Sequence, residues 1–142
     1  MAGVKTFETR SWAVPRSLIG AHIAIHAAKR DTKDEQEFWM DTVLDRGGHR
    51  EVYGEAFAKI GVLKYSDLPR GAIIGTATIA ACNETDDVIE KITDIESEWG
   101  NYSHGRFAWL LTTVIPLTTP VPCIGRQGFF DWQPPAKAHG WN

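Results

Sequence analysis

Four segments of the chain carry the apolar patterns that predict β-strands. They are residues 4–10, 20–28, 72–81 and 106–117. The last segment is apolar on both faces, which predicts a buried central strand. Gly75, in the third segment, stands where a strand of a barrel would bend, because a glycine within a strand often marks such a corner. A fifth short segment, "GFFDW" at 128–132, is apolar enough to close the sheet.

Helical patterns occur between the second and third predicted strands. The residues "TKDE" at 32–35 have the form of a capping box, which predicts that a helix begins there. Apolar residues continue at helical spacing until the Gly47-Gly48 pair, where we expect the helix to end. A second helix is predicted over 50–60, with three apolar side chains in line: Val52, Ala56 and Ile60.

Residues 84–98 carry seven acidic side chains and one basic side chain. Within and just after this segment, four apolar residues fall on one helical face: Val88, Ile92, Ile95 and Trp99. This spacing predicts an amphipathic surface helix with a solvated acidic face.

Strands at both ends of the chain and helices between them predict an α+β fold with a mainly β core, in which a curved sheet is flanked by helices. A chain of 142 residues has the size of one domain. We assign this domain to residues 1–132 and expect residues 133–142 to form a peripheral C-terminal tail.

The net charge of the whole chain is −3, which argues against a polyanionic partner until the distribution of charge is considered. Without residues 84–98 the chain has fourteen basic and eleven acidic side chains, a balance of +3. The first thirty residues contain five basic side chains and one acidic side chain. A local basic face is therefore compatible with the acidic total.

The chain has two cysteines, Cys82 and Cys123, and no CxxC pattern. This usage is typical of a reducing compartment, so we expect a cytoplasmic protein. No apolar run approaches the ~20 residues of a membrane span, and the first residues lack the apolar run of a secretory signal. We therefore expect no association with a membrane.

Three charged side chains crowd the first predicted strand: Lys5, Glu8 and Arg10. Strict alternation places Glu8 and Arg10 on one face, whereas Lys5 falls with Phe7 on the other face unless the chain bends at Gly3. Phe7 is expected to anchor the strand in the core. One interpretation of the charges is a solvated ion pair that contributes little to stability. The other is a cleft that holds a charged ligand.

His22 and His26 have the spacing H-x-x-x-H, which on a helix would bring two imidazoles together at a metal. The surrounding residues predict a strand instead, on which four residues separate the rings by about 13 Å. A zinc ion needs each ligand at about 2 Å, so we expect no shared metal. His26, near the end of the strand, is either a hydrogen-bonded group of the core or a contact to a ligand in a cleft.

The chain contains no nucleophile elbow, phosphate-binding loop or catalytic-cysteine signature, and we expect neither a metal nor another cofactor. Ser103 and His104 are adjacent in "NYSHGRFAW", which predicts a turn before the last long strand. Loops on rigid scaffolds often carry binding residues, so this turn is either a simple connection or part of a site.

The opening residues resemble the G-x-K-x-x-E-x-R signature of the ASCH domain family, within the PUA-like superfamily; Gly3, Lys5, Glu8 and Arg10 fill its four positions. Further segments are similar to the family in the same order: 22–30, 71–82, 105–111 and 120–130. The chain departs from the family at its start, because family members usually carry an apolar helix before this signature and here two residues precede Gly3. Either this form is naturally short or the native N-terminus is longer.

The resemblance implies a PUA-like curved sheet or pseudo-barrel with flanking helices, in which the signature residues line a cleft. It also implies RNA as the partner, because ASCH domains have been proposed as RNA-binding modules. In that role Lys5 and Arg10 would contact phosphates, and Trp12 or Tyr102 would stack an unpaired base. The RNA-binding residues predicted in this way are Lys5, Arg10, Trp12, His26, Tyr102 and Arg106.

Two activities of the wider family give alternatives: cleavage of single-stranded RNA and removal of the acetyl group from acetylcytidine. In a ribonuclease that uses no metal, Lys5 and Arg106 would stabilise charge on the phosphate. Ser103 or His104 would position or move a proton. The candidate catalytic set is Lys5, Glu8 and Ser103.

Acetylcytidine amidohydrolases that resemble this domain carry a threonine where Glu8 stands here, so the expected nucleophile is absent. A third alternative is a protein-interaction module whose acidic segment faces a partner or mimics a nucleic acid. We rank binding of single-stranded RNA, or of a nucleotide, in a basic cleft first, a ribonuclease second, and deacetylation or protein interaction below both.

Overall fold

The chain folds around one antiparallel sheet in a computed structural model that describes residues 5–42 and 50–136. In chain order, the described strands and α-helices are β1 (Phe7–Arg10), β2 (His22–Ala27), α1 (Lys33–Thr42), α2 (Arg50–Ala58), β3 (Ala72–Glu84), α3 (Thr85–Val88), α4 (Asp94–Glu98) and β4 (Phe107–Pro122). Three short 3₁₀ turns lie between them, at Arg16–Leu18, Tyr65–Asp67 and Ile89–Lys91. The predicted α+β class is confirmed, and each of the four long predicted strand segments contains a strand.

The four strands of the sheet lie in the order β1-β4-β3-β2, and each neighbouring pair is antiparallel. Among the described residues, β1 and β2 each pair on one side only, so the sheet is not closed into a barrel. Of the two expected forms, the pseudo-barrel is therefore wrong. Residues 128–132 form no strand and do not close the sheet. Phe129 instead packs its ring against Trp109, parallel to it at 11° and with the ring centroids 5.5 Å apart.

Strand β4 lies in the interior of the sheet, as predicted, but it is not buried along its whole length. Residues 108 and 109 are buried, whereas residues 112–116 are exposed. β1 covers β4 only as far as Leu110, and beyond that point β4 pairs with β3 alone. The apolar composition of the segment therefore overstates its burial.

The pairing of β3 is irregular beside Gly75, near the predicted bend. Ile74 is skipped in the register with both neighbouring strands: Ile73 pairs with His26 and Val121, and Gly75 pairs with Ile25 and Pro116. A bulge of this kind bends a strand and increases its twist.

The two predicted helices of the connection are present, although one of them buries a different face. At the start of α1, the backbone N–H of Glu35 donates to Oγ1 of Thr32 at 3.2 Å, and the Thr32 N–H donates back to the Glu35 carboxylate at 3.3 Å. The capping box is therefore confirmed. The predicted end of this helix, at residues 47–48, lies outside the described residues. In α2 the buried side chains are Tyr53, Ala56 and Phe57, and the predicted positions Val52 and Ile60 are exposed.

The acidic segment does not form one continuous helix, so that prediction is wrong. It is divided into α3, a 3₁₀ turn and α4, because the backbone is extended at Ile92 and Thr93, where ψ is 155° and 161°. Val88 and Ile92 pack with Tyr102 and Ala108, whereas the apolar residues of the second half, Ile95 and Trp99, pack on the cluster of Trp39, Tyr53, Phe57 and Val62. The break allows the two halves to bury against different parts of the molecule.

The sheet separates two of the buried clusters. Ala108 packs with Val88 and Tyr102 on one face. Trp109, the next residue of β4, packs with Val14 and Ile79 on the other, because successive side chains of a strand point to opposite faces.

Two glycines are expected to respond to alanine in opposite directions. Gly54 lies within α2, and a Cβ built there meets no atom within 4 Å, so Gly54→Ala should raise the free energy of unfolding by ~0.5–1 kcal/mol. A Cβ at Gly125 would lie 2.3 Å from Cε1 of His26, so Gly125→Ala should lower the free energy of unfolding by ~1–3 kcal/mol. Thermal unfolding followed by circular dichroism checks both, and a lowered Tm for Gly54→Ala would contradict the account of α2.

Candidate nucleic-acid interface

Lys5, Glu8 and Arg10 meet at the edge strand β1, and we refer to these three residues as the charged cluster. Nζ of Lys5 lies 2.9 Å from Oε2 of Glu8, and Nη2 of Arg10 lies 2.9 Å from Oε1 of the same carboxylate. Lys5 precedes β1, so strand alternation does not direct its side chain to the Phe7 face. The side chains of Lys5, Glu8 and Arg10 keep 31%, 30% and 52% of their exposure, so solvent or a ligand reaches all three.

Glu96 of α4 fixes the backbone on which Lys5 is carried. Its buried carboxylate accepts hydrogen bonds from the backbone N–H of Thr6 at 2.8 and 3.0 Å and from that of Phe7 at 2.9 Å. It also accepts from the hydroxyls of Thr6 at 2.9 Å and Tyr102 at 3.1 Å. A charged acceptor shared by so many donors holds the segment before β1 in one position.

Tyr102 is buried with Val88 and Ala108, so its ring is not exposed to stack a base. Burial raises the pKa of the Tyr102 hydroxyl well above its ordinary value, and the negative charges of Glu96 and Glu8 raise it further. The side chain therefore supports the site through Glu96. The stacking role predicted for it does not fit this position.

Trp12 belongs to an aromatic patch formed with Trp109 and Phe129. The Trp12 ring lies edge-on to both partners, with centroid distances of 4.7 Å to Trp109 and 5.8 Å to Phe129. Its backbone carbonyl accepts a hydrogen bond from the Trp109 indole at 3.2 Å. Trp12 nevertheless keeps 39% of its exposure, so part of the ring is open to a stacking partner.

The register of the sheet brings the charged cluster and the aromatic patch to one face. Glu8 pairs directly with Trp109, and Arg10 pairs with Phe107. Paired residues of antiparallel strands point to the same side of the sheet. Trp109 is thus a neighbour of both Glu8 and Trp12.

The turn before β4 places its polar residues in contacts of its own. The Ser103 hydroxyl donates to the side-chain oxygen of Asn101, and the Nε–H of Arg106 donates to the Asn101 carbonyl at 3.0 Å. The exposed His104 ring pairs with Asp86. The structure thus joins Lys5 and Glu8 of the candidate catalytic set, but the described hydrogen bonds of Ser103 do not involve either residue.

His26 lies in a different row of the sheet from the charged cluster. It pairs with Ile73 of β3, whereas Arg10 lies in the row of Phe107 and Glu84. The His26 ring contacts Phe130 with the ring centroids 6.0 Å apart, and Phe130 is the neighbour of Phe129 in the aromatic patch. The His26 ring also donates from Nε2 to the Cys123 carbonyl at 3.0 Å, so one of its nitrogens has a partner within the protein.

Little in the sequence indicates the part that Glu96 plays. Thr93 and Glu96 have the T-x-x-E spacing of a helix start, and Oγ1 of Thr93 does accept the Glu96 N–H at 3.1 Å. This spacing marks the first turn of α4 but says nothing about the burial of the carboxylate. As one of seven acids in fifteen residues, Glu96 is predicted by its sequence context to lie on a solvated face.

Within residues 5–42 and 50–136, no set of three or more His, Cys, Asp or Glu side chains is arranged to hold a metal ion. In the same part of the chain, no helix combines the length and the apolar character needed to cross a membrane.

Comparison with known protein families found no family model that matches the chain, and no curated protein matches it either.

We predict that Glu96→Gln lowers the free energy of unfolding by about 2 kcal/mol, because an amide –NH₂ would replace an oxygen that accepts buried hydrogen bonds. Glu90→Gln removes the same charge at an exposed position and should change the stability by less than ~0.5 kcal/mol. Urea unfolding at pH 7 measures both variants. Equal effects would show that the Glu96 carboxylate is not an anchor.

The raised pKa of Tyr102 predicts a loss of stability at high pH. The unfolded phenol titrates near 10.0, and the folded one titrates above that value, so its contribution is fully present below pH 10 and is lost as the pH rises through the folded pKa. Tyr53, whose pKa burial and Glu98 raise to about 12, contributes in the same direction. Unfolding measured from pH 8 to 12 should therefore show a shallower decline for Tyr102→Phe than for the wild type, and identical slopes would contradict the assignment.

Proposed function

We propose that this protein binds single-stranded RNA at the edge of the sheet formed by the charged cluster and Trp12. The observation that carries the proposal is the convergence of Lys5 and Arg10 on one carboxylate, next to an exposed aromatic ring on the same face. Cationic groups beside an aromatic ring are the two parts that single-strand binders combine.

Glu8 orients both cations without using all of their hydrogen bonds. A lysine ammonium has three N–H donors and a guanidinium has five, so donors remain on Lys5 and Arg10 for phosphate oxygens. The cluster keeps one net positive charge. Because Glu8 holds both head groups in place before a ligand arrives, less conformational entropy is lost on binding.

An unpaired base suits the position of Trp12 better than a duplex does. A stacking partner needs the face of a base, which is accessible in single strands and covered in a helix. Since phosphate contacts and stacking do not distinguish RNA from DNA, the preference for RNA rests on the resemblance of residues 3–10 to the ASCH signature.

Binding without turnover accounts for the contacts better than a ribonuclease does. The Ser103 hydroxyl and the His104 ring are engaged by Asn101 and Asp86. Neither has a described contact to Lys5 or Glu8. Deacetylation needs a nucleophile in place of Glu8, whose carboxylate is occupied by two ion pairs.

We predict that Lys5→Ala weakens the binding of a labelled single-stranded RNA about five- to tenfold at low salt, the equivalent of about 1–1.4 kcal/mol. One phosphate contact fewer should also reduce the slope of log affinity against log salt by ~0.7. Fluorescence anisotropy at several salt concentrations, with EDTA present, measures both quantities. Lys33→Ala removes a positive charge from an exposed position on α1 and serves as the matched control.

Trp12→Ala separates stacking from charge. It should weaken binding by ~1–3 kcal/mol per stacked base while the salt slope stays unchanged. Gel analysis of the RNA after each titration reports turnover. The proposal fails if the wild type does not bind or if Lys5→Ala and Lys33→Ala behave alike, and shortened RNA would favour the ribonuclease.

A further inference from the structure

A cavity of about 490 Å³ lies between α1, α2 and the end of β2. Four aromatic residues contribute to its walls: Trp39, Phe57, Tyr65 and Trp99. Its lining includes none of the residues of the charged cluster and none of the aromatic patch. The volume falls within the range of ligand pockets.

The rings of this cavity are inclined to one another. Trp39 lies at 63° to Phe57 and at 61° to Tyr65, with centroid distances of 4.7 and 5.9 Å. Phe57 and Trp99 are inclined at 48° with their centroids 6.0 Å apart. The four rings pack in one cluster and together form an aromatic wall of the cavity, which we call the cage. The face of an aromatic ring attracts cations.

Arg70 shows that one of these rings already holds a cation. Its guanidinium carbon lies 4.8 Å from the centroid of the Tyr65 ring, within the ~6 Å of a cation–π contact. The guanidinium also lies 3.6 Å from Asp31 and 3.7 Å from Glu35, so two carboxylates share its charge.

The charged residues that line the cavity are balanced: Arg30 and Arg70 face Asp34 and Glu35. Asp31 stands beside Arg70 but does not line the cavity. The lining therefore adds no net charge of its own, and the negative faces of the rings decide the preference for a positive ligand over an anion.

We propose that the cavity binds a small organic cation of the quaternary or methylated ammonium class. The methyl groups of such a cation bury apolar surface against the rings, while its diffuse charge is stabilised by the ring faces and by Asp34 and Glu35. A neutral molecule of the same shape gains only the apolar term. The cage therefore discriminates by charge as well as by size.

Choline and 3,3-dimethylbutan-1-ol test the proposal, because they share one shape and differ by a positive nitrogen in place of a carbon. Binding to the whole chain is followed through the indole N–H signals of Trp39 and Trp99 in NMR spectra. We expect choline to shift these signals and to bind at least about fivefold more tightly than the alcohol. Equal affinities would overturn the charge discrimination, and no shift with either compound would overturn the site.

Variants of the carboxylate Glu35 and of the ring Tyr65 separate the contributions of charge and of the aromatic wall to choline binding. Glu35→Gln and Tyr65→Leu should each weaken choline binding about three- to tenfold, with little change for the neutral alcohol. Trp39 is not used because it is buried in the core and its removal endangers folding. Glu55→Gln, an exposed change of the same charge on α2, should leave choline binding as in the wild type. If it weakens binding as much as Glu35→Gln does, the rim carboxylates have no specific role.

Lys5→Ala distinguishes this site from the RNA interface. It should leave choline binding unchanged, because Lys5 does not line the cavity. A parallel loss of choline binding in Lys5→Ala would contradict two separate sites.

Discussion

The carboxylate of Glu96 is the constraint on which the candidate interface depends. It is buried, and it satisfies the backbone donors of Thr6 and Phe7 where the chain enters the edge strand. A short edge strand of four residues has few ladder bonds of its own, so an acceptor from α4 compensates for this weakness. Lys5 lies directly before this anchored segment, and this position allows its ammonium group to contact the Glu8 carboxylate.

The alternating side-chain directions along β4 give the two faces of the sheet different neighbours. Ala108 points into the cluster that includes Tyr102, on the face braced by α3 and the following turn. Trp109 points to the face that carries Glu8, Arg10 and Trp12. Both faces bury a cluster, and the face of Trp109 also presents charge beside aromatic rings. The aromatic cavity against α1 and α2 shares no residue with this interface, so the described part of the chain offers two environments of different chemistry.

Local signals are enough to predict the α+β class, the four strands and the helices α1 and α2. The capping box at Thr32 and Glu35 and the strand pattern around His22 reflect interactions within a few residues, which the sequence displays directly. Long-range pairings are different, since no local pattern indicated that Glu96 would meet Thr6 across ninety residues. The apolar and aromatic residues of 128–132 likewise indicate that this segment packs against the protein. They do not indicate that Phe129 packs its ring on Trp109 while the segment adds no strand to the sheet.

The most direct test of this account is a double-mutant cycle between Lys5→Ala and Glu96→Gln, read as affinity for single-stranded RNA at one salt concentration under conditions where both variants stay folded. If Glu96 holds Lys5 in place for a phosphate, Lys5→Ala should lose at least half of its effect, in free energy, once Glu96 has been changed. If Lys5→Ala weakens binding by the same factor in both backgrounds, Lys5 acts independently of Glu96, and the central claim is contradicted.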